Sequence, residues 1–153
     1  MVEYQVVPAE AHHAANMAPR MRQCDIDEAW AAAHYDPFKA LMISKMVSRD
    51  PMACLADGQT VWMFGVGQRS PFSRVGNPWM LAAEGLEKHS RVFLRMSVNY
   101  VREIKTWYDL LENHVDARNE KTVKWLKWLG YTIDDPEPFG AEGLPFHRFQ
   151  MER

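Results

Sequence analysis

Two short apolar runs, "WMLAAEG" (79–85) and "DLLENHV" (109–115), flank a long polar stretch. In it Phe93, Ser97, Tyr100, Val101, Ile104 and Tyr108 recur at three- and four-residue spacing. That period predicts a helix from Lys88 to Trp107 with one face turned to a sheet. A strand, a helix and a strand in succession form a right-handed crossover, which sets the two strands parallel. No other feature restricts the fold as much, because everything else in the chain must add to that parallel pair.

The additions read as antiparallel. "VEYQVV" alternates and is β-branched, a first strand stopped by Pro8. "AEAHHAANM" reads as a short helix ending before Pro19. Asp25 followed by Glu28 has the spacing of a capping box, which predicts a helix starting at Asp25 and running through "IDEAWAAA". Pro37 opens a further helix at a tolerated first-turn position. "MACLADGQTVWMFGVGQ" reads as a hairpin around Asp57-Gly58, followed by "RSPFSRVGNP" as a loop. Near the end come a helix, "NEKTVKWLKWLG", and two strands, "YTI" and "LPFHRFQM", separated by the loop "DDPEPFGAEG". The expected architecture is one α/β domain over 1–153, with a mixed, mostly antiparallel sheet of about seven strands and helices on both faces.

Composition removes several classes of function. An apolar share of 47% and a charged share of 25% suit a folded globular chain. A net charge of −2 gives no global attraction to nucleic acid or anionic membrane. The N-terminus has no basic and apolar leader pattern, and no apolar run approaches a membrane span, so a cytoplasmic location is expected. Cys24 and Cys54 lack metal or redox spacing and read as small buried hydrophobes. His12 and His13 are adjacent, diverge on a helix and read as surface residues, so no metal site is expected.

Two surface features stand out. Lys88, Arg91, Arg95 and Arg102 fall along one side of the predicted crossover helix, a solvated face or a place to meet an anion or an acidic partner. No aromatic residues interleave with them for stacking on bases, so nucleic acid is not favoured. On the last helix Thr122, Val123, Leu126 and Leu129 project toward the sheet, whereas Trp128 falls on the far side with Lys121 and Lys124. Either the loop "DDPEPFGAEG" folds back over Trp128, the preferred expectation, or Lys121, Lys124 and Trp128 form a partner anchor.

The element order, with Asn119, the helix through Leu129 and the Gly130-Tyr131 pair, resembles the GNAT (GCN5-related N-acetyltransferase) fold over nearly the whole chain. Asn119 is expected to cap that helix and Gly130 to end it. A narrower resemblance rests on "GNPWML", "LEKHSRVFLR", "VDARNEKTVKWLKWLG" and "GLPFHRFQM". These strings are similar to the gene-thirteen product of T7-like short-tailed phages and related prophage proteins. That resemblance implies a virion-assembly protein of the host cell cytoplasm whose partners are other phage structural or internal virion proteins.

Against the GNAT pattern two parts are missing. GNAT enzymes hold the coenzyme A pyrophosphate on a turn of the form Arg/Gln-x-x-Gly-x-Gly/Ala, where backbone N–H groups reach the phosphates. The corresponding "EGLEKHSRVF" keeps only Gly85, between Glu84 and Glu87. Many of these enzymes also carry a Tyr as general acid where this chain has Leu126. The resemblance therefore implies a non-catalytic GNAT-like binding module with no cofactor. The alternative is an active N-acyltransferase that uses acetyl-coenzyme A through a divergent site, with Lys88, Arg91 and Asn119 as the cofactor contacts. A small-ligand binder using the residual cleft is a third reading. Glu84 and Glu112 map to where the two central strands of the fold part, and His114 and His147 to neighbouring strands. These four are the candidate catalytic groups.

Overall fold

The computed structural model describes residues 1–153. Four consecutive antiparallel partners begin the sheet: β1 (Tyr4–Pro8), β2 (Ser48–Ala56), β3 (Gln59–Gly67) and β4 (Val75–Ala82). The hairpin at Asp57-Gly58 joins β2 to β3, with positive φ at both turn residues, as the tight right-twisted turn requires. β5 (Leu110–Asp116) lies parallel to β4, and β8 (Leu144–Glu152) pairs antiparallel with β5. β6 (Thr132–Ile133) and β7 (Glu137–Phe139) both pair with β8, giving an eight-stranded sheet of order β1-β2-β3-β4-β5-β8-β6 with β7 beside β8.

Helices α1 (Ala11–Met17), α2 (Gln23–Ala33) and α3 (Pro37–Met46) cover one face. Their core there is Ala14, Met17, Ala40 and Leu41 against Met63 and Leu81 of the sheet. The other face carries α4 (Ser90–Ile104) and α5 (Glu120–Leu129). Phe93 of α4 packs on Trp62 and Ala82, while Ile104 and Leu126 pack on Val66, Leu111 and Val115. The expected mixed sheet with helices on both faces is what forms. A 3-10 turn, Leu86–His89, precedes α4, so the crossover helix is shorter than its apolar period indicated.

Three local expectations are corrected. β4 begins at Val75, inside the stretch read as loop. Gly76 is needed there because an added Cβ would lie 2.5 Å from Val66 Cγ1 and 2.7 Å from the Tyr108 ring. His13 is buried, not on the surface, and its Nδ1 accepts from the Glu10 N–H at 3.0 Å in a reciprocal cap of α1. The segment read as a featureless loop contains β7, and it does not approach Trp128, which is 58% exposed. That segment packs instead on α2. Ala141 and Glu142 donate their N–H groups to Ala32 O and Ala31 O, and Gly140 lies so close that a Cβ would meet Ala32 Cα at 2.7 Å.

Candidate functional site

β4 and β5 share only two register pairs, Val75 with Leu110 and Gly76 with Leu111, and then part. Parted strands leave backbone N–H and C=O groups without partners, so their fate can be followed one by one. At the narrow end two side-chain amides bridge the opening. Asn77 Nδ2 donates to Glu112 O at 2.8 Å and Asn113 Nδ2 donates to Pro78 O at 3.0 Å. Asn113 Oδ1 also accepts from the His114 N–H. Pro78 has no N–H to lose on this side of β4.

At the wide end the partners come from α2. Asp25 Oδ2 accepts the Ala82 N–H at 2.9 Å, and Glu28 Oε1 accepts the Asp116 N–H at 2.8 Å. The Ala82 carbonyl accepts from Arg22 N at 2.8 Å. Between the two ends one residue of β4 stays open. Ala83 N donates to Val61 O, which fixes alternate residues of β4 toward β3 and turns the N–H and C=O of Met80 into the gap. An extended chain carrying amides could add to that edge as a strand does.

The gap opens into a cavity of about 420 Å3 that crosses the sheet. On the α2 side it is walled by Ala29, Ala32, Tyr35 and Ala40, and on the α4–α5 side by Phe93, Tyr100 and Trp125. Most of its lining is apolar, so each polar group in it matters. Tyr100 Oη and Trp125 Nε1 are buried there with no protein partner. Such donors are costly to leave unmet and are suited to a ligand carbonyl. Tyr131 lines the same cavity, and burial raises the pKa of its hydroxyl.

Glu28 is the ionisable group that this environment perturbs most usefully. Loss of hydration raises its carboxyl pKa to about 7, and the charges of Asp25 and Asp116 add to the rise. The Asp116 N–H and Arg22 oppose it. Asp25, 2% exposed, is held by Arg22 through two 2.9 Å hydrogen bonds, and Asp116 by Arg118 at 2.7 Å; Glu28 has no such cation. His114 lines the cavity nearby with its ring stacked on Phe139 at 3.9 Å. Burial lowers its pKa, helped by Arg148 and opposed by Glu112, so it stays neutral near pH 7. A carboxyl that titrates near neutrality beside a neutral imidazole can accept and return protons.

The other expected site residues fall elsewhere. Glu112 forms a two-pronged ion pair with Arg148 and does not line the cavity. Glu84 is exposed on the turn beyond β4, outside the cavity. His147 is opposite Val115 while His114 is opposite Arg148, so the two imidazoles leave opposite faces of the sheet and form no pair. His147 Nδ1 meets the carbonyl of Asp134 instead. Asn119 stands at the start of α5, but its side chain makes no capping bond and its buried Nδ2 has no partner. The capping expectation is therefore corrected: Asp116 Oδ1 accepts the Arg118 N–H and organises this turn.

Asp25 and Glu28 have the spacing of a capping box but a different role. α2 begins two residues earlier, at Gln23, so both carboxylates lie inside the helix one turn apart and face the sheet. Two acids at that spacing on an alanine-rich helix needed a buried partner, and the strand ends supply it.

The expected phosphate-binding end differs from a cofactor cradle. Ala83 and Glu84 donate their N–H groups to Val61 O and Arg20 O, and Lys88 N donates to Gly85 O. Glu84 and Glu87 add negative charge to the same turn, while Lys88 and Arg91 are exposed. The apolar cavity suits a thiol arm and its acyl group; at the turn the N–H groups of Gly85, Leu86 and Glu87 have no acceptor in the chain, but Glu84 and Glu87 put negative charge where a pyrophosphate would lie. No His, Cys, Asp and Glu side chains gather as a metal site. No helix is long and apolar enough to cross a membrane.

No family model matches the chain, and no curated protein matches it. Solved structures do. An Ard1 from Thermoplasma volcanium superposes with a TM-score of 0.71 at 12% identity, covering 97% of each chain. An N-acetyltransferase from Staphylococcus aureus gives 0.68 at 11%, covering 98% of each. A GNAT-family acetyltransferase from Streptococcus pneumoniae gives 0.63 at 11%, covering 99% of this chain and all of its own. The fold is GNAT-like from end to end, and the comparisons contain nothing that ties it to phage gene-thirteen proteins.

Proposed function

We propose that the chain transfers an acyl group from a thioester to an amine, the two reactants meeting in the cavity that crosses the split sheet. The observation that carries this reading is the passage between β4 and β5, with Met80's open backbone in it and Glu28 and His114 on one side. The cavity is lined from both faces of the sheet, so two molecules approaching from opposite faces would meet in it. The amine nitrogen attacks the acyl carbon, a C–N bond forms and the C–S bond breaks. Glu28, as carboxylate, takes the proton that the amine sheds, and the departing thiolate takes one from water. Leu126 has no proton to give, so the expected acid on α5 has no role in the scheme.

The test is thiol release from acetyl- or acyl-pantetheine with a panel of primary amines. Glu28→Gln should lower the rate by about a hundredfold or more, the usual contribution of a placed general base. Absence of thiol release across the panel would overturn the reading.

Trp128 favours a second reading, in which the chain binds a virion protein during phage particle assembly. Its indole is 58% exposed on α5, on a helix that also exposes Lys121 and Lys124. A large aromatic ringed by charge is a common interface anchor. Complementation of an assembly-defective phage tests it: loss of particles with Trp128→Ala and unchanged thiol release would separate the two roles.

A further inference from the structure

The cavity and the turn at its mouth call for different things. Inside, the Met80 edge and the unpartnered Tyr100 hydroxyl and Trp125 indole N–H suit a slender amide-bearing arm ending in an acyl group. Outside, at the turn that should receive a pyrophosphate, Ala83 and Glu84 N–H are bonded within the protein, only the N–H groups of Gly85, Leu86 and Glu87 are left to meet the arm's single phosphate, and Glu84 and Glu87 lie on its surface. An adenine nucleotide placed there would face carboxylates. Beyond the turn the charge reverses. Lys88, Arg91, Arg95 and Arg102 recur at helical spacing, all exposed, and none forms an ion pair within the chain. A row of unpaired cations beside an apolar slot whose mouth carries two carboxylates is matched by an acidic surface that carries the arm on itself.

We infer that the acyl donor is a thioester borne on the phosphopantetheine arm of an acidic carrier protein, docked along Lys88, Arg91, Arg95 and Arg102, and not free acyl-coenzyme A. This rests on the acyl-transfer reading above and specifies its donor. The arm enters between α4 and α5 and lies along Met80, while the carrier's acidic face meets the cationic row.

The experiment compares three donors with the same acyl group: on an acidic acyl carrier protein, on coenzyme A and on pantetheine. Carrier-borne donor should have the highest kcat/KM, by about tenfold or more over acyl-coenzyme A, and its binding should weaken steeply as NaCl is raised. Arg95→Glu with Arg102→Glu should reduce the ratio of carrier-borne to pantetheine-borne kcat/KM by about tenfold. Carrier binding measured by fluorescence anisotropy should weaken in parallel, a readout independent of turnover. Acyl-coenzyme A used as well as the carrier, or a ratio unmoved by the charge reversals, would overturn the inference while leaving acyl transfer standing. Turnover with none of the three donors would overturn both.

Discussion

Asp25 and Glu28, one turn apart on α2, hold the two lips of the opened sheet: Asp25 the Ala82 N–H at the end of β4, Glu28 the Asp116 N–H at the end of β5. One helix therefore sets how far apart the strands stand, and does so with the groups that give the cavity its chemistry.

Asp25 has the larger structural share. It is 2% exposed and satisfies both the Arg22 guanidinium and a strand N–H. Asp25→Ala leaves a largely buried cation and a buried donor without partners, and should cost about 3–5 kcal/mol. Chemical denaturation checks this; a loss below about 1 kcal/mol would show that the clamp is idle.

Glu28 should make stability depend on pH in an unusual direction. Its folded pKa, about 7, lies above the ordinary 4.5 of a glutamate carboxyl, so the folded state favours the protonated form. Its contribution is full below about pH 4.5 and is lost as pH rises to about 7. Glu28→Gln, which keeps an acceptor for the Asp116 N–H, should gain on the wild type across that window. The gain should reach about 3 kcal/mol by pH 8. Melting curves from pH 4 to 8 provide the measurement. In the activity assay kcat/KM should climb with pH and level off near pH 7, since the base works as carboxylate.

Gly140 lets the segment between β6 and β8 sit on α2 and brings Phe139 over His114. Gly140 has a φ of +76° and no room for a Cβ. Gly140→Ala should lift the segment and unstack Phe139, raising the imidazole pKa toward its ordinary value as water returns. Histidine titration by NMR reads this directly; an unshifted His114 would refute the contact's role.

Trp128→Ala should change monomer stability by less than about 0.5 kcal/mol, because the indole is more than half exposed. A loss near 3 kcal/mol, typical of a buried aromatic, would place the loop back over it.

The sequence made the crossover legible because Phe93, Ile104 and Tyr108 keep a helical period that only a sheet face satisfies. The site was less legible, since its polar groups use local signals for distant partners. Asp25 and Glu28 have the spacing of a cap, yet their acceptors serve backbone 57 and 88 residues away. Asn119 stands where a cap stands, but Asp116 organises the turn. A cover for Trp128 is expected because large indoles are seldom bare, whereas the loop finds its contact on the alanines of α2. His114 is legible as a strand histidine, but its stacking partner depends on a segment whose path only tertiary packing decides.

The brief contact between Val75-Gly76 and Leu110-Leu111 also has a kinetic meaning. β1 to β4 join through neighbouring pairings, and β5 to β8 form a second antiparallel group. Uniting the groups requires closing the loop that contains α4, with two register pairs as the direct backbone gain. The halves should therefore consolidate first and dock late. In pulse-labelled hydrogen exchange, amides within β3 should gain protection before Leu110 does, and a cleft made by late docking is ready for ligand only when the chain is complete.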